Sequence, residues 1–309
     1  MERHIHLRRS TLSVPANREK MIKKAADLPA DFIMLDLEDS VPAQEKEAAR
    51  ARVVTALKEQ HWQGKVRACR INGMDTPFAY RDIIDVVEAA GDCLDVLVVP
   101  KVNEASEIKA IDYLLTQIEM RMGFSNSIGL DASIETAEGM LRVEQIAFSS
   151  DRLEALVFGV ADYSASLSMS SKGLSGHGDA EDFYPGDRWH FPLSRLAMTA
   201  KASGLAAIDA PYGNYKDMQG LRKSCIMSAG LGFDGKWAIH PDQLEVINEI
   251  FTPSEEDVKR SELILEAYAE ARKKGQGSLS IDGKMVDAAS VRIAQVISAQ
   301  WKAITGKSS

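Results

Sequence analysis

Polar side chains that could do chemistry recur where apolar runs end along this 309-residue sequence. The run 32–41, FIMLDLEDSV, is the clearest case, because it ends in three carboxylates. Short apolar runs predict buried strands, and several of these polar residues fall inside such a run rather than after it. A single polar strand end is ordinary, but every predicted strand here ends in one. In chain order they are Asn17 and Arg18, Glu38 and Asp39, Arg70 and Asn72, Lys101, Glu135, Asp162, Asp209, and His240.

Glu135 and Asp162 are the strongest candidates for metal ligands. They follow consecutive apolar runs, and no cluster of His or Cys stands beside them. Two carboxylates suit a hard cation such as Mg²⁺, whose coordination is completed by water and substrate oxygens. Mn²⁺ is a second candidate ion. The alternative is that Glu135 only begins the following helix, where a carboxylate is favourable.

Arg70 and Lys101 are candidate cations of the same site. Arg70 lies in a run that should be buried, and a buried guanidinium needs an anionic partner. That partner is either structural, Glu38 or Asp39, or a substrate oxyanion. Lys101 poses the same choice, and a Schiff-base lysine is a further alternative. We therefore expect Glu38 and Asp39 to orient Arg70, Lys101 or metal-bound water rather than to be the primary metal ligands.

Repeated strand and helix pairs must position these residues. Eight β-rich runs alternate with longer amphipathic runs, such as 43–60 and 103–122, in the second of which Asn103 or Ser106 is available as a cap. This pattern predicts a (β/α)8 TIM barrel, with its chemistry on the loops after the strands. An open doubly wound sheet is the alternative that the pattern leaves. The predicted strands are 9–15, 32–38, 66–72, 96–102, 128–135, 153–162, 206–212 and 236–241.

Two segments depart from a bare barrel. The connection 163–190 is long and rich in Ser and Gly, which is typical of functional or mobile loops. Residues 253–277 and 278–305 predict two further helices beyond the eighth unit. We therefore expect a catalytic barrel domain at 1–252, followed at 253–309 by a helical extension or lid that contacts a neighbouring subunit.

The composition of the chain limits the partners and the location that we expect for the protein. The chain has 37 basic and 45 acidic residues and a net charge of -8, which gives no support to a nucleic-acid partner. No apolar run is long enough to span a membrane, and the charged first ten residues lack the apolar core of a signal peptide, so we expect a cytoplasmic protein. Cys69, Cys93 and Cys225 have no metal or disulfide spacing and should be core residues.

Eight segments of the chain, taken together, resemble the citrate lyase β-subunit-like family of CoA-ester lyases, and within it the malyl-CoA and β-methylmalyl-CoA lyases. They follow the family's order over nearly the whole chain. The first loop reads VPAN where many members have VPGN. The segments are RRSTLSVPANREKM, DFIMLDLEDSVPAQEKEAAR, VRACRINGMDT, VLVVPKV, ASIETAEGM, LVFGVADYSAS, GKWAIHPDQLEVINEIFTPS and IDGKMVDAAS.

The resemblance implies a (β/α)8 barrel that assembles as a homotrimer or homohexamer and uses Mg²⁺ and a CoA thioester. It implies that Glu135 and Asp162 are metal ligands and that Arg70 lies beside the thioester carbonyl. It also implies that Asp287 is delivered from a neighbouring subunit. Residues of the first loop, Asn17, Arg18 and Lys20, fall where the family meets CoA phosphates.

The implied reaction is reversible cleavage of malyl-CoA or β-methylmalyl-CoA to glyoxylate and acetyl-CoA or propionyl-CoA through an enolate. Arg70 would stabilise the enolate oxygen, worth ~3 kcal/mol or about a hundredfold in rate, and Asp287 would transfer the proton at the acyl α-carbon. Three alternatives stay open at this point. They are cleavage of citryl-CoA or citramalyl-CoA, hydrolysis of malyl-CoA as a thioesterase, and a non-catalytic CoA-binding scaffold subunit.

Overall fold

The computed structural model describes residues 6–62, 64–169, 188–281 and 283–306. In this part of the chain, eight parallel strands close into a barrel in chain order. A (β/α)8 barrel is therefore present, as the sequence predicts, and the open doubly wound sheet is excluded. The barrel strands are β1 Ser10–Pro15, β2 Phe32–Asp36, β3 Val66–Arg70, β4 Val96–Val99, β5 Gly129–Ile134, β6 Leu153–Phe158, β7 Ala206–Asp209 and β8 Gly235–Ala238.

Helices alternate with the strands along the chain and continue after β8. Short 3-10 turns at Ala43–Glu45, Gly91–Cys93 and Pro241–Gln243 supplement them. Part of the predicted long connection is helical at Val160–Ser166, whereas residues 170–187 lie outside the described residues. The helices are α1 Glu19–Ala25, α2 Lys46–Glu59, α3 Ala79–Ala90, α4 Ala105–Met122, α5 Ala137–Leu141, α6 Val143–Ala147, α7 Val160–Ser166, α8 His190–Ala202, α9 Met218–Gly230, α10 Leu244–Ile250, α11 Glu255–Lys273 and α12 Ala288–Thr305.

Alternation along the strands divides the core into two layers. Side chains at every second position fill the barrel interior, and those between them pack under the helices. The interior cluster contains Phe32, Met34, Val66, Ala68, Val96, Val98, Ala155, Val157, Ala206, Ile208 and Trp237. At the end of the barrel where the strands begin, the buried Arg8 donates from Nη1 to Asp131 and pairs through Nη2 with Glu154. This ion cluster lies at the opposite end from the strand termini discussed above.

Several local predictions are wrong in detail. The barrel strands end up to four residues before the predicted boundaries, because most of the polar residues lie beyond the strands, although Arg70 and Asp209 are the last residues of β3 and β7. Helix α4 is capped by Glu104, in a reciprocal capping box with Glu107, rather than by Asn103 or Ser106. Cys69 and Cys225 are buried core residues, but Cys93 is partly exposed.

Two polar strand ends do not reach the barrel rim. Asp209 points outward and forms a fully buried ion pair with Lys236, whose ammonium also donates to Ser224 on α9 at 3.0 Å. Asn72 donates to Asp82 of α3 at 2.6 Å. These two residues therefore make structural contacts with helices: strand alternation turns Asp209 outward, whereas Asn72 lies in the loop after β3 has ended at Arg70.

The chain divides into two compact units, the first ending at Asn248 and the second beginning at Glu249. In the second unit, α11 packs on α12, and an antiparallel hairpin, β9 Leu279–Ile281 and β10 Lys284–Val286, joins them. The sequence predicts two helices here and misses this hairpin. None of the described helices is sufficiently long and apolar to span a bilayer.

Candidate active site

Arg70 is fixed at the end of β3 by two carboxylates, one at the end of β2 and one in the loop that follows it. Arg70 and Asp36 are paired across the two strands, so their side chains enter the barrel at the same level. Nε and Nη2 donate to the two oxygens of Asp36 at 2.7 Å, and Nη1 lies 2.7 Å from Glu38 Oε2. Burial alone would lower the pKa of Arg70, but the charge and hydrogen bonds of Asp36 outweigh it and raise that pKa. The guanidinium is therefore a permanent, oriented cation.

Asp36 is the chief partner of Arg70, whereas the sequence pointed to Glu38 or Asp39. Burial would raise the pKa of Asp36, but the charge and hydrogen bonds of Arg70 lower it below its ordinary value. Glu38 is the second partner, and Asp39 is exposed and contacts Lys101 instead. Strand alternation predicts that Asp36 lies on the same side as Glu38, two residues earlier, and its pairing with Arg70 agrees with that placement.

Lys101 lies within ion-pair distance of three carboxylates at the rim of the barrel. Its ammonium pairs with Glu38 Oε1, lies 3.1 Å from Asp39 Oδ2 and lies 3.8 Å from Asp162 Oδ2. Burial would lower the pKa of Lys101, but the hydrogen bond and charge of Glu38 raise it above its ordinary value. The lysine is therefore cationic at neutral pH, which disfavours a role as a Schiff-base nucleophile.

The backbone of Lys101 is strained. Its φ of 51° lies in the left-handed region, which costs a residue with a side chain about 1–2 kcal/mol. Such outliers cluster at functional sites, where the surrounding structure holds them in place. At Lys101 the strained backbone accompanies an ammonium that contacts carboxylates from the loop after β2 and from α7.

Glu135 is buried at the end of β5 with one oxygen unsatisfied. No described residue makes a hydrogen bond with its Oε1. Burial raises the pKa of Glu135 to about 7, with the charges of Glu38 and Asp162 adding to the effect and that of Arg70 opposing it. Thr136, not Glu135, caps α5, since its hydroxyl accepts a hydrogen bond from Gly139 N. The alternative that Glu135 only begins this helix is therefore wrong.

The space that Glu135 occupies exists because residue 159 is glycine. A Cβ on Gly159 would lie 2.3 Å from Glu135 Cγ and 2.9 Å from Oε2. Gly159 ends the loop before α7, and Asp162 lies in the first turn of that helix. Gly159 is not among the residues predicted from the sequence, where its only signal is its position three residues before Asp162, a candidate metal ligand.

The donor set fits a hard divalent cation. In the described part of the chain, no group of three or more His, Cys, Asp and Glu side chains is arranged to hold a metal. Mg²⁺ needs no such group, because it commonly keeps several waters and is held by one or two carboxylates together with the substrate. The unpaired Oε1 of Glu135 and the half-exposed carboxylate of Asp162 are suited to that task.

The other predicted site residues are placed as follows. Arg18 and Lys20 are exposed in the first turn region after β1, and Asn17 donates to Glu45 at 2.9 Å. Asp287 belongs to the second unit, where its carboxylate caps α12 by accepting from Ser290 N and Ala289 N. These two backbone hydrogen bonds lower the pKa of Asp287. Its participation in the barrel site remains a prediction.

Known proteins resemble this chain over most of its length. An L-malyl-CoA/β-methylmalyl-CoA lyase of Cereibacter sphaeroides is 40% identical over 305 residues, covering 96% of this chain and 95% of that protein. The structure of protein CitE from Mycobacterium tuberculosis, in complex with magnesium, acetoacetate and coenzyme A, is 25% identical with a TM-score of 0.72, covering 94% of this chain and 97% of that one.

A third protein shares the fold. A citrate lyase structure from Burkholderia xenovorans has a TM-score of 0.82 at 19% identity, covering 97% of this chain and 92% of that one. Residues 9–241 match the family described as HpcH/HpaI aldolase/citrate lyase. This match spans the barrel from β1 to the turn after β8 and includes Arg70, Glu135 and Asp162. The chain belongs to the HpcH/HpaI aldolase/citrate lyase family.

Proposed function

We propose that this protein is a Mg²⁺-dependent CoA-ester lyase that reversibly cleaves malyl-CoA or β-methylmalyl-CoA. The products are glyoxylate and acetyl-CoA or propionyl-CoA. One observation carries the proposal. Arg70, a buried cation held by Asp36 and Glu38, lies at the same rim of the barrel as Glu135, whose Oε1 has no hydrogen-bond partner among the described residues. The relative from Cereibacter sphaeroides supports this choice of substrates.

Arg70 is suited to stabilise negative charge at the thioester oxygen. Nε, Nη1 and Nη2 of Arg70 each direct one N–H group at a carboxylate. Nη1 and Nη2 therefore each retain a second N–H group that donates to no described residue. When the bond between C2 and C3 breaks, its electron pair passes to the acyl-CoA carbon and an enolate forms. A preoriented donor at that oxygen is worth ~3 kcal/mol, or about a hundredfold in rate.

Glu135 and Asp162 would hold the Mg²⁺ in this proposal. When bound, the ion supplies Lewis acidity that lowers the pKa of a coordinated hydroxyl and polarises the carbonyl of the oxo-acid. Glu38 and Lys101 hold the surrounding charges in place, since Glu38 contacts both Arg70 and Lys101. We assign Asp287, held as a carboxylate by its capping bonds, to proton transfer at the acyl α-carbon.

The remaining parts of the proposal concern binding and assembly. Asn17, Arg18 and Lys20 would contact the CoA phosphates, to which exposed cations are attracted. We propose a homotrimer or homohexamer in which residues 253–309 contact a neighbouring subunit, and a cytoplasmic location. Light scattering coupled to size-exclusion chromatography measures the assembly, and a monomer would contradict it.

The central test is a product-resolved assay. Purified protein given acetyl-CoA, glyoxylate and Mg²⁺ should form malyl-CoA, detected by mass spectrometry, and should stop when a chelator is added. Glu135→Gln and Asp162→Asn should each abolish product. Glu138→Gln is the matched control, because Glu138 is exposed one turn away and pairs with Arg142. Absence of product with glyoxylate, together with turnover of citryl-CoA or citramalyl-CoA, would reject the substrate but keep the lyase class.

Two further outcomes would reject the lyase itself. Free thiol released from malyl-CoA without glyoxylate would identify a thioesterase. A scaffold subunit would show activity that Glu135→Ala and Arg70→Ala leave unchanged. The buried ion pairs around Arg70 argue against a scaffold, since such pairs are costly to bury and rarely add stability by themselves.

A further inference from the structure

Trp237 lies at the centre of the barrel beneath the candidate site. It occupies an inward position of β8 and belongs to the interior cluster with Met34, Ala68 and Val98. Only 7% of its surface is exposed. Among the described residues of β8 no other inward position carries a side chain, because residue 235 is glycine. The indole is therefore the side chain that β8 places in the barrel interior.

The indole ring covers one face of the Arg70 guanidinium. The distance from Arg70 Cζ to the ring centroid is 5.1 Å, within the range of a cation–π contact. The carboxylates of Asp36 and Glu38 meet the edge of the same guanidinium. The two carboxylates hold the edge of the guanidinium and the indole ring covers one of its faces, so these three residues together fix the orientation of Arg70.

The indole N–H lacks a partner within the described part of the chain. No described residue accepts a hydrogen bond from Trp237 Nε1, although the atom is enclosed. Buried tryptophan N–H groups normally find a partner, because an unmade hydrogen bond in a dry interior is costly. Two inward groups at the end of β5 share this condition, Ser133 Oγ and Glu135 Oε1. Three such polar atoms in the barrel interior indicate a binding site in which the ligand supplies the missing hydrogen-bond partners.

We propose that Trp237 is a further substrate-binding residue, whose indole N–H donates to the thioester oxygen that Arg70 also contacts. Both the indole and the guanidinium can only donate hydrogen bonds, so together they suit an acceptor oxygen. The thioester oxygen is such an acceptor, and it becomes negative during the reaction. The stacked ring also holds Arg70 in the plane that its remaining N–H groups require. This inference rests on the proposed lyase function and adds a second donor at the oxygen of the enolate.

Two substitutions separate the roles of the ring and of its N–H. Trp237→Phe keeps an aromatic face against Arg70 but removes the donor, and we expect kcat to fall ~10-fold with little change in KM. Trp237→Leu removes both contacts, and we expect a loss of ~100-fold. Trp62→Phe is the matched control, because Trp62 is also buried and donates to Ala56 O outside the site. It should retain wild-type kcat while losing at least as much stability to denaturant as Trp237→Phe.

An indole spectrum tests the contact without relying on turnover. The chain has four tryptophans, so ¹⁵N-labelled protein gives four indole resonances, and the Phe variants assign those of Trp237 and Trp62. Addition of acetyl-CoA and Mg²⁺ should shift the Trp237 resonance and leave that of Trp62 in place. A Trp237 resonance that stays fixed under saturating acetyl-CoA would overturn the inference, as would wild-type kcat in Trp237→Phe. Wild-type protein that cleaves no CoA ester would instead reject the proposed function.

Discussion

Replacing Gly159 by alanine should displace Glu135 and weaken metal binding. The new Cβ would lie 2.3 Å from Glu135 Cγ and 2.7 Å from Cδ. Carbon atoms in favourable contact are about 3.5–4.0 Å apart, so the carboxylate has to move by roughly 1 Å. The backbone itself tolerates alanine, because its φ of -110° and ψ of 91° are accessible to any residue. The expected damage is therefore confined to the position of Glu135.

The size of the effect follows from that displacement. Disturbing the support of a metal ligand typically costs ~10–100-fold in metal affinity, and a misplacement of ~1 Å can cost ~100-fold in rate. Overpacking should also lower the free energy of unfolding by ~1–3 kcal/mol. Calorimetric titration with Mn²⁺ measures the affinity directly, the product assay measures kcat/KM, and denaturation by urea measures the stability.

Gly230→Ala is the control for this experiment. Gly230 ends α9, and an added Cβ there would meet no atom within 4 Å. We expect unchanged Mn²⁺ affinity and a stability equal to or up to about 1 kcal/mol above wild type. If Gly159→Ala bound Mn²⁺ within about twofold of wild type and kept its kcat/KM, the close approach of Gly159 to Glu135 would be functionally irrelevant.

Three further predictions test the charges inside the barrel. Arg70→Lys retains the charge but loses the two-point pairing with Asp36, so kcat/KM should fall ~100-fold; a loss below fivefold in the product assay would contradict this. Glu38→Gln should lower turnover more than ~10-fold while the thermal midpoint changes by only a few degrees, and unfolding instead would make its role structural. Burial raises the pKa of Asp131 to about 6 from 3.8, so protonation favours the folded state. This contribution, up to ~3 kcal/mol, is present below pH 4 and lost as pH rises through 6, and urea titrations of wild type against Asp131→Asn at pH 4–8 should show that trend.

The residues around Arg70 show how far strand patterns predict a site. A buried arginine demands an anion, and a neighbouring apolar run that ends in Asp36, Glu38 and Asp39 supplies three candidates. The sequence therefore predicted a carboxylate partner for Arg70 and named Glu38 or Asp39; Glu38 does contact Arg70, but the chief partner is Asp36. The register of β2 against β3 decided it, because Asp36 and Arg70 are directly paired. Register depends on how the whole barrel closes, which no single strand encodes.

The sequence by itself determined the eightfold repeat of strands and helices and the identity of the charged residues at the rim, and it favoured a barrel over an open sheet. It determined them because hydrophobic periodicity and buried charge are local properties of the chain. Only the tertiary structure decided that Asp209 turns away to Lys236, that Gly159 makes room for Glu135, and that Trp237 lies on Arg70. These contacts join residues distant along the chain, and they arise from barrel closure and packing to a few tenths of an ångström.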